Sequence, residues 1–519
     1  MKRMRRNSFG IRQTVRLMVL ASVTLSSAAP LLAQVFDASQ LVPLPTPESF
    51  INRDTNSYSG SIPQGKATGD VIDLTVLDAL DRGLKYNLGL FLSNQTTAEA
   101  RADRLQQLSR LLPNINGTFG EELQRINLKS FGFKFAGFPS SVGPFGITAT
   151  QATGTWEPLN ASSIDRYRSS GELVRAAQFS YRDARDTVVL AVGANYLLVI
   201  ALESRLEAAQ AELKTAEALY QLAEDQEAAG LVPNIDTLRA RVQLQAQQET
   251  VIETENALEK QRIALARVIG LPVQQKFRLV DRIAHADLPD VAITGAIQLA
   301  LETRSDYKAA QAQVRAAELR RSAAWKGYLP SIGVSGAYGV LGYTPDAMAP
   351  NYSAAATLNI PIFQGGRVQA DVVAADAQLK ERQAQADNLK ARIEQEVEDS
   401  ILDLRAAARQ VEVAKTGLDF AQQALGQSQD RFAAGVTNNV EVIQAQQQLA
   451  SANDRYITAL FAHNIGKVLL ARSIGNAEQM VKQYMAGNPA LPPSVLAPTP
   501  QAPPPASTPP VSPNPPQPK

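Results

Sequence analysis

The sequence predicts an α+β membrane protein made of two copies of one unit, in which long helical hairpins are joined to pairs of β-strands. Three observations support this fold class. A short turn sequence occurs twice, helical heptads run far longer than a globular domain allows, and two segments alternate apolar residues with small or polar ones. Each copy would therefore contribute two strands and one hairpin of long helices.

The composition excludes several classes of protein. The 51 Lys and Arg residues balance 50 Asp and Glu residues, so no overall basic field attracts nucleic acid. The absence of cysteine excludes disulfides, thiolate metal sites and a lipid-anchoring cysteine. The two histidines, His285 and His463, lack the spacing of metal ligands. The sequence carries no nucleophile–base pair or phosphate-binding loop either, so we expect neither enzymatic activity nor a cofactor.

Residues 1–33 have the pattern of a secretory signal peptide, because the basic segment MKRMRRNSFGIRQTVR precedes the apolar segment LMVLASVTLSSAAPLLA. Small residues allow cleavage after Ala28 or Ala33, and the sequence leaves both sites open. Residues 34–70 contain turn-forming residues without periodicity, which predicts an extended linker. Residues 487–519 are mostly Pro, Ala, Ser, Thr and Gln, which is typical of a disordered tail.

An internal duplication divides the rest of the chain into a first structural repeat at residues 71–285 and a second at 286–480. Gly230 of the first turn recurs 205 residues later as Gly435, and LARVIG recurs as LARSIG at the same offset. Pro113 and Pro330 lie 217 residues apart and end a helix in each copy. The difference between the offsets makes the first copy 12 residues longer, and we expect a larger, Phe-rich loop between its strands.

Strands are predicted after each of these prolines. In the second repeat two such segments have one apolar face each, formed by Ile332, Val334, Gly336, Tyr338 and Val340 and by Tyr352, Ala354, Ala356, Leu358, Ile360 and Ile362. A half-buried hairpin of a soluble sheet would show the same alternation. The strand length, close to the ~9–11 residues that cross a bilayer, and the flanking aromatic residues favour membrane strands.

The long helices carry a coiled-coil seam in which large residues recur every seventh position and small residues lie three positions later. In the second repeat the large set is Val397, Leu404, Val411, Leu418, Leu425 and Phe432, and the small set is Ser400, Ala407, Ala414, Ala421 and Ser428. A helix of about 65 residues extends roughly 100 Å, so it needs neighbours along its length. The apolar run 188–202 is interrupted by Gly193 and Asn195, which favours a buried helix over a membrane span.

The turns between the long helices have a consistent chemistry. Gly230 and Gly435 can adopt positive φ and close one helix, and Asn234 and Asn439 are expected to cap the next. One acidic residue, Asp236 or Glu441, then lies in the first turn of each following helix. The helix dipole favours an acid there whatever its further role.

Four strands cannot close a barrel, and an open sheet edge in lipid leaves backbone groups unpaired. Protomers must therefore share one barrel. Three copies would supply twelve strands around an interior wide enough for a solute, and the long helices would pack into a tube below it.

Over residues 74–475 the sequence resembles the TolC-like outer membrane efflux proteins, also called outer membrane factors. The resemblance rests on the duplication, the Leu-Pro helix ends, the segment IPIFQGGR, and the segment RFAAGVTNNVEVIQAQ followed by LARSIG. It implies a homotrimer with a twelve-stranded outer membrane β-barrel continuous with a periplasmic α-helical tunnel. It also implies docking on a periplasmic membrane fusion adaptor protein of an inner membrane efflux pump, with no cofactor.

The resemblance also implies roles for residues of the two tips. The adaptor-docking positions are Ala229, Gly230, Leu231, Val232, Ala434, Gly435, Val436 and Thr437. Asp236 corresponds to an acid that, in the best-known member, helps to close the periplasmic aperture through an arginine and a tyrosine of the other hairpin. Thr437 and Phe432 stand at those two positions here. Glu441 corresponds to the first acid of the entrance ring, and Gln444 replaces the second, so we expect a weaker closing network and a less negative constriction.

The expected function is export across the outer membrane of a Gram-negative bacterium, by efflux of drugs, metals or small molecules. Type I protein secretion is the alternative within the channel class, because the pore is shared and specificity resides in the pump. A periplasmic coiled-coil scaffold is the alternative from another class, and it explains the helices without explaining the strands.

Overall fold

The computed structural model describes residues 58–132, 139–281, 291–344 and 346–485. The predicted signal peptide, the first part of the linker, the centre of the Phe-rich loop, His285 and the Pro-rich tail lie outside these residues. The described residues all belong to one compact unit. The expected disorder of the tail and the boundary between residues 285 and 286 therefore stay predictions.

The elements of the two repeats follow the same order along the chain. The first repeat contains β1 (Ile72–Leu74), α1 (Val76–Tyr86), α2 (Leu88–Ser109), β2 (Asn114–Asn127), β3 (Ser141–Leu159), α3 (Ala161–Ala228), α4 (Asn234–Ile269) and β4 (Phe277–Leu279). The second contains α5 (Ile293–Thr303), α6 (Ser305–Trp325), β5 (Ser331–Gly342), β6 (Ala349–Asn359), α7 (Arg367–Ala433) and α8 (Asn439–Ile474), and α9 (Ala477–Met485) follows it.

The predicted duplication is confirmed by the lengths of matching helices. Helices α4 and α8 both have 36 residues, α1 and α5 both have 11, and α3 and α7 have 68 and 67. The additional length of the first copy lies in its strand hairpin, where it lengthens the strands themselves and not only the loop that was expected to be larger. Strands β2 and β3 have 14 and 19 residues, against 12 and 11 in β5 and β6.

The four long strands form one antiparallel sheet in the order β2-β3-β5-β6, as the four predicted strands require. The register keeps the aromatic residues together, because Tyr338 of β5 lies opposite Tyr352 of β6. Ile115, Phe119 and Leu123 on β2 are each about three-quarters exposed. The sheet therefore presents an apolar face outward, and β2 and β6 form its two edges.

Sequence patterns did not reveal the second sheet, in which β1 and β4 pair in parallel. Each strand has only three residues, too few to show a period of two. Leu74, Phe277 and Leu279 bury their side chains in the neighbouring core. This pairing fastens the two ends of the first repeat to each other.

The central core surrounds the apolar run of α3. Val188, Val192, Tyr196 and Val199 are completely buried and pack with residues of α1, α4, α7 and α8. The most apolar 18-residue window of α3 has a mean hydropathy of 1.8, and 72% of it is buried inside the protein. The prediction of a buried helix is therefore confirmed.

The predicted heptad seam of α7 lies on its buried face. Val397, Leu404, Val411, Leu425 and Phe432 are all less than one-tenth exposed. The small residues Ser400, Ala407 and Ser428 are buried between them. Below the sheet the helices pack in the order α2-α3-α6-α7, and further away from it in the order α4-α3-α8-α7.

Candidate periplasmic aperture and docking tips

The two hairpin tips have the same backbone conformation. Gly230 and Gly435 each adopt a φ of +71°, and no heavy atom outside the immediate chain lies within 4 Å of where a Cβ would stand. Glycine is therefore required by the backbone and not by crowding. Leu231 is 75% exposed and Val436 is 70% exposed, so each tip presents one large apolar side chain.

The expectation that Asn234 and Asn439 cap the second helix of each hairpin is wrong. Pro233 occupies the cap position of α4 without a side-chain bond, and Asn438 caps α8 by accepting a hydrogen bond from the Glu441 amide. The cap lies one residue earlier than expected because both helices already include the predicted asparagine.

The side chains of the two asparagines instead make different contacts. Asn234 Nδ2 donates to Glu227 Oε1 at 2.7 Å within its own tip. Asn439 is fully buried, and its Nδ2 donates to the main-chain oxygen of Asp236 at 3.1 Å. This second bond joins the start of α8 to the start of α4, so it ties the two hairpins together.

Asp236 is about nine-tenths buried in the first turn of α4. Its carboxylate pairs with the guanidinium of Arg239 at 3.1 Å, three residues later on the same helix. Thr237 beside it donates to the main-chain oxygen of Ala223. Within the described residues, the Asp236 carboxylate is thus engaged by its own helix, while its main chain meets the other hairpin.

Glu441 is compensated within its own hairpin. The Arg431 guanidinium lies 3.5 Å from its carboxylate, and the hydroxyl of Thr437 donates to the same carboxylate. The predictions did not include Arg431, although a hairpin turn at Gly435 brings residues on its two sides together. Both partners are partly exposed, so the pair contributes less than about 1 kcal/mol to stability. Gln444 is exposed and adds no charge.

Phe432 is only 3% exposed and belongs to an apolar cluster near the tips. Its companions come from α3, α7 and α8 and are Leu219, Leu425, Val442 and Ala445. The ring therefore packs the two hairpins against each other. Its place on the heptad seam was the sequence signal for this burial.

A belt of polar contacts farther from the tips joins α3, α4 and α8, and it was not foreseen. Arg205 contacts Asp454 at 2.5 Å and the Thr458 hydroxyl at 3.2 Å. Glu212 accepts hydrogen bonds from Asn453 at 3.2 Å and from Gln247 at 2.7 Å. Burial raises the pKa of Glu212, because it penalises the charged form, while these two amides lower it.

Among the residues that the structure describes, no group of three or more His, Asp or Glu side chains is arranged to hold a metal ion. The aperture residues instead offer carboxylates already paired with arginines. The arrangement can close or line a passage and can present apolar side chains to another protein.

Comparison with known proteins agrees with this architecture. The family model described as "Outer membrane efflux protein" matches residues 90–271 and 296–476, one segment in each repeat. The pyoverdine export outer membrane protein OpmQ of Pseudomonas aeruginosa is 25% identical over 417 residues, which cover 78% of this chain and 86% of that protein.

Two further proteins are similar over most of their length. The outer membrane protein OprJ of Pseudomonas aeruginosa is 25% identical over 332 residues, covering 62% of this chain and 67% of that protein. The crystal structure of the Campylobacter jejuni CmeC outer membrane channel has a TM-score of 0.69 at 17% identity, covering 83% of this chain and 96% of that one.

The predicted fold class is confirmed, with long helical hairpins in the periplasm and four strands per protomer in the outer membrane. The chain therefore belongs to the outer membrane efflux protein family, whose members are outer membrane channels and not enzymes.

Proposed function

We propose that the protein is a homotrimeric channel-tunnel that passes small molecules from an inner membrane efflux pump and a periplasmic membrane fusion adaptor across the outer membrane. The open edges of the four-stranded sheet carry this proposal. Strands β2 and β6 each have one side without a partner strand among the described residues. In lipid such edges leave backbone groups unpaired, which costs several kcal/mol for each group.

Two further surfaces favour self-association into a closed ring. On α7, Val413 is 72% exposed and Phe420 is 65% exposed. On α4, Leu238 is 49% exposed and Ile252 is 66% exposed. Each pair of these large, exposed apolar side chains lies on one helix face. Such a pair is typical of a surface that contacts another protein, whereas a single exposed apolar residue is not.

The duplication supports the proposal that these two surfaces meet between protomers. Within one protomer, Arg205 and Glu212 of α3 contact α8. An offset of 205 residues maps them onto Gln410 and Gly417 of α7, each three residues before an exposed apolar residue. By the same offset Ile443 and Ile457 of α8, both partly buried, map onto Leu238 and Ile252 of α4. We therefore expect α7 to pack on α4 of the next protomer in the same way as α3 packs on α8 within one protomer.

The tips are proposed as the adaptor-docking surface. The docking residues are Ala229, Gly230, Leu231, Val232, Ala434, Gly435, Val436 and Thr437. The exposure of Leu231 and Val436 supports this role, because apolar side chains at a rigid turn form a compact contact for another protein. A double substitution to Ser at these two residues is expected to weaken adaptor binding in a pull-down with purified adaptor. Substitution of exposed Val273 to Ser, beyond the opposite end of α4, serves as the control.

We propose that the residues below the tips form the periplasmic aperture. These residues are Asp236, Glu441, Gln444, Thr437 and Phe432. Glu441 is already paired with Arg431, and Gln444 is neutral, so the constriction is less negative than two acidic rings would make it. Glu441→Gln is expected to leave divalent-cation block of single channels weak and nearly unchanged. Tight block in the wild type that depends on Glu441 would contradict this part.

The substrate class is proposed from the relatives. OpmQ is named for the export of pyoverdine, and a further relative is named as a solvent efflux pump outer membrane protein, which favours small molecules as substrates. Deletion of the gene is expected to sensitise cells to toxic small molecules while leaving the secreted proteome unchanged. Loss of one secreted polypeptide, without altered sensitivity, would instead support type I secretion.

The decisive experiment measures the oligomeric state of the mature protein in detergent by light scattering with correction for bound detergent. We expect a mass of three protomers. A monomer or dimer that inserts no conducting pores into planar bilayers would overturn the proposed channel.

A further inference from the structure

Each hairpin tip carries an asparagine at the same position, and only one of the two is buried within a protomer. Asn439 is fully buried, and its Nδ2 donates to the main-chain oxygen of Asp236 in the other hairpin. The interaction needs no charge on either partner. It joins α8 to α4 at the narrow end of the helical region.

The repeat offset of 205 residues maps this contact onto a second pair. Asn439 corresponds to Asn234, and Asp236 corresponds to Glu441. Asn234 is exposed and Glu441 partly exposed in the single protomer. In a ring of three protomers the hairpins of the two repeats alternate, so contacts within a protomer and contacts between protomers alternate as well.

We propose that Asn234 of one protomer donates a hydrogen bond to the main-chain oxygen of Glu441 in the next protomer, and that these contacts hold the periplasmic aperture closed. The proposal rests on the trimer of the proposed function. The six asparagines of the ring would then form one continuous clasp, with three bonds within protomers and three between them.

The donor and acceptor both have capacity for this bond. The amide of Asn234 carries two N–H groups, and its contact with Glu227 uses one of them. The Glu441 carbonyl lies in the first turn of α8 and has two lone pairs, one of which the helix uses. The Asp236 carbonyl occupies the equivalent place in α4 and accepts from Asn439 in this way.

A clasp made of amides and carbonyls has a distinctive physical signature. An exposed ion-pair lock weakens as salt rises and as carboxylates become protonated. The proposed bond itself joins an amide to a main-chain carbonyl, and the Glu227 carboxylate accepts only from the other N–H of Asn234, so closure is expected to persist in molar salt. The Arg431–Glu441 pair lies beside it and contacts the Glu441 side chain, whereas the clasp uses the main chain.

Single-channel recording tests the donor. Asn234→Asp keeps the side-chain shape but removes the N–H groups, and Asn234→Ala removes them without adding charge. Losing one net hydrogen bond changes an equilibrium about fivefold, so both variants are expected to raise the open probability at least that much. Asn438→Asp is the matched control, because it adds the same charge at the other tip and retains a good helix cap.

Crosslinking tests whether Asn234 and Glu441 of neighbouring protomers lie close together. Because the sequence contains no native cysteine, only the introduced cysteines can react. The double variant Asn234→Cys with Glu441→Cys, treated with a short bismaleimide, is expected to give covalently linked trimers on denaturing gels. The equivalent pair Asp236→Cys with Asn439→Cys is expected to link only within one chain. Trimers that resist crosslinking at the first pair, with wild-type open probability in both Asn234 variants, would overturn the clasp. Failure to form trimers at all would overturn the channel instead.

Discussion

The guanidinium of Arg205 on α3 lies 2.5 Å from the carboxylate of Asp454 on α8, and the two side chains are only 8% and 11% exposed. The pair joins the long helices of the two repeats midway along their length. Because both charges are largely removed from water, each depends on the other for compensation. Burial alone lowers the pKa of Arg205, and the neighbouring Asp454 opposes that shift.

Arg205→Ala is expected to lower the free energy of unfolding by about 3–5 kcal/mol, because it removes the cation that faces the buried carboxylate of Asp454. The double variant Arg205→Met with Asp454→Leu is expected to recover most of that loss, since no buried charge remains. Denaturant unfolding followed by circular dichroism measures both. A double variant as unstable as the single one would show that the charges themselves are required.

A pH effect is expected at Asp186 of α3. Burial raises the pKa of this carboxyl to about 6 from 3.8, with further increases from Asp183 and Glu478 and opposing effects of Arg472 and Arg185. The folded protein therefore holds a proton that the unfolded chain releases between these pH values. Its contribution to stability is complete below pH 3.8 and is lost as the pH rises to about 6, amounting to at most about 3 kcal/mol.

Asp186→Asn is consequently expected to stabilise the protein at pH 7.5 and to have little effect near pH 3.5, where Asp186 is protonated. Unfolding curves at several pH values would show the difference. Asp419→Asn, at an exposed position of α7, is the control and should not change the pH dependence. Parallel stability curves for wild type and Asp186→Asn would contradict the prediction.

The same substitution at two phenylalanines of α7 should have different consequences. Phe432 is 3% exposed in the apolar cluster near the tips, so Phe432→Ala is expected to cost about 3–5 kcal/mol of folding stability. Phe420 is 65% exposed on the proposed interface. Phe420→Ala should leave the fold intact and lower the temperature at which trimers dissociate on gels. If Phe420→Ala instead destabilised the fold and left the dissociation temperature of the trimers unchanged, Phe420 would lie outside the interface.

Two glycines of α7 and its tip provide a further matched pair. Gly435→Ala is expected to cost about 1 kcal/mol, because its φ of +71° is unfavourable for any residue with a Cβ. Gly426 lies within α7 with open space around its Cα, so Gly426→Ala should stabilise by up to about 1 kcal/mol. Thermal unfolding compares them, and equal effects of the two substitutions would contradict the role given to backbone conformation.

The sequence by itself determined the features that show as local patterns or as a repeated segment. The heptad seam ending at Phe432 and the glycines at both tips could be identified locally, because side-chain period and backbone conformation depend on neighbouring residues. The duplication could be identified because the same short segments recur 205 residues apart. The position of Pro113 and Pro330 likewise marked where helices give way to strands. Family resemblance then identified the hairpin tips and the acidic residues beside them as candidate sites.

The tertiary structure decided which distant groups meet. No local pattern indicates that Arg205 pairs with Asp454, that Asn439 reaches the main chain of Asp236, or that β1 pairs with β4. These contacts join residues separated by about 200 positions or more, and they depend on the side-by-side packing and axial register of whole helices. That register is fixed by the sum of many small apolar contacts along the seam, which no single residue specifies.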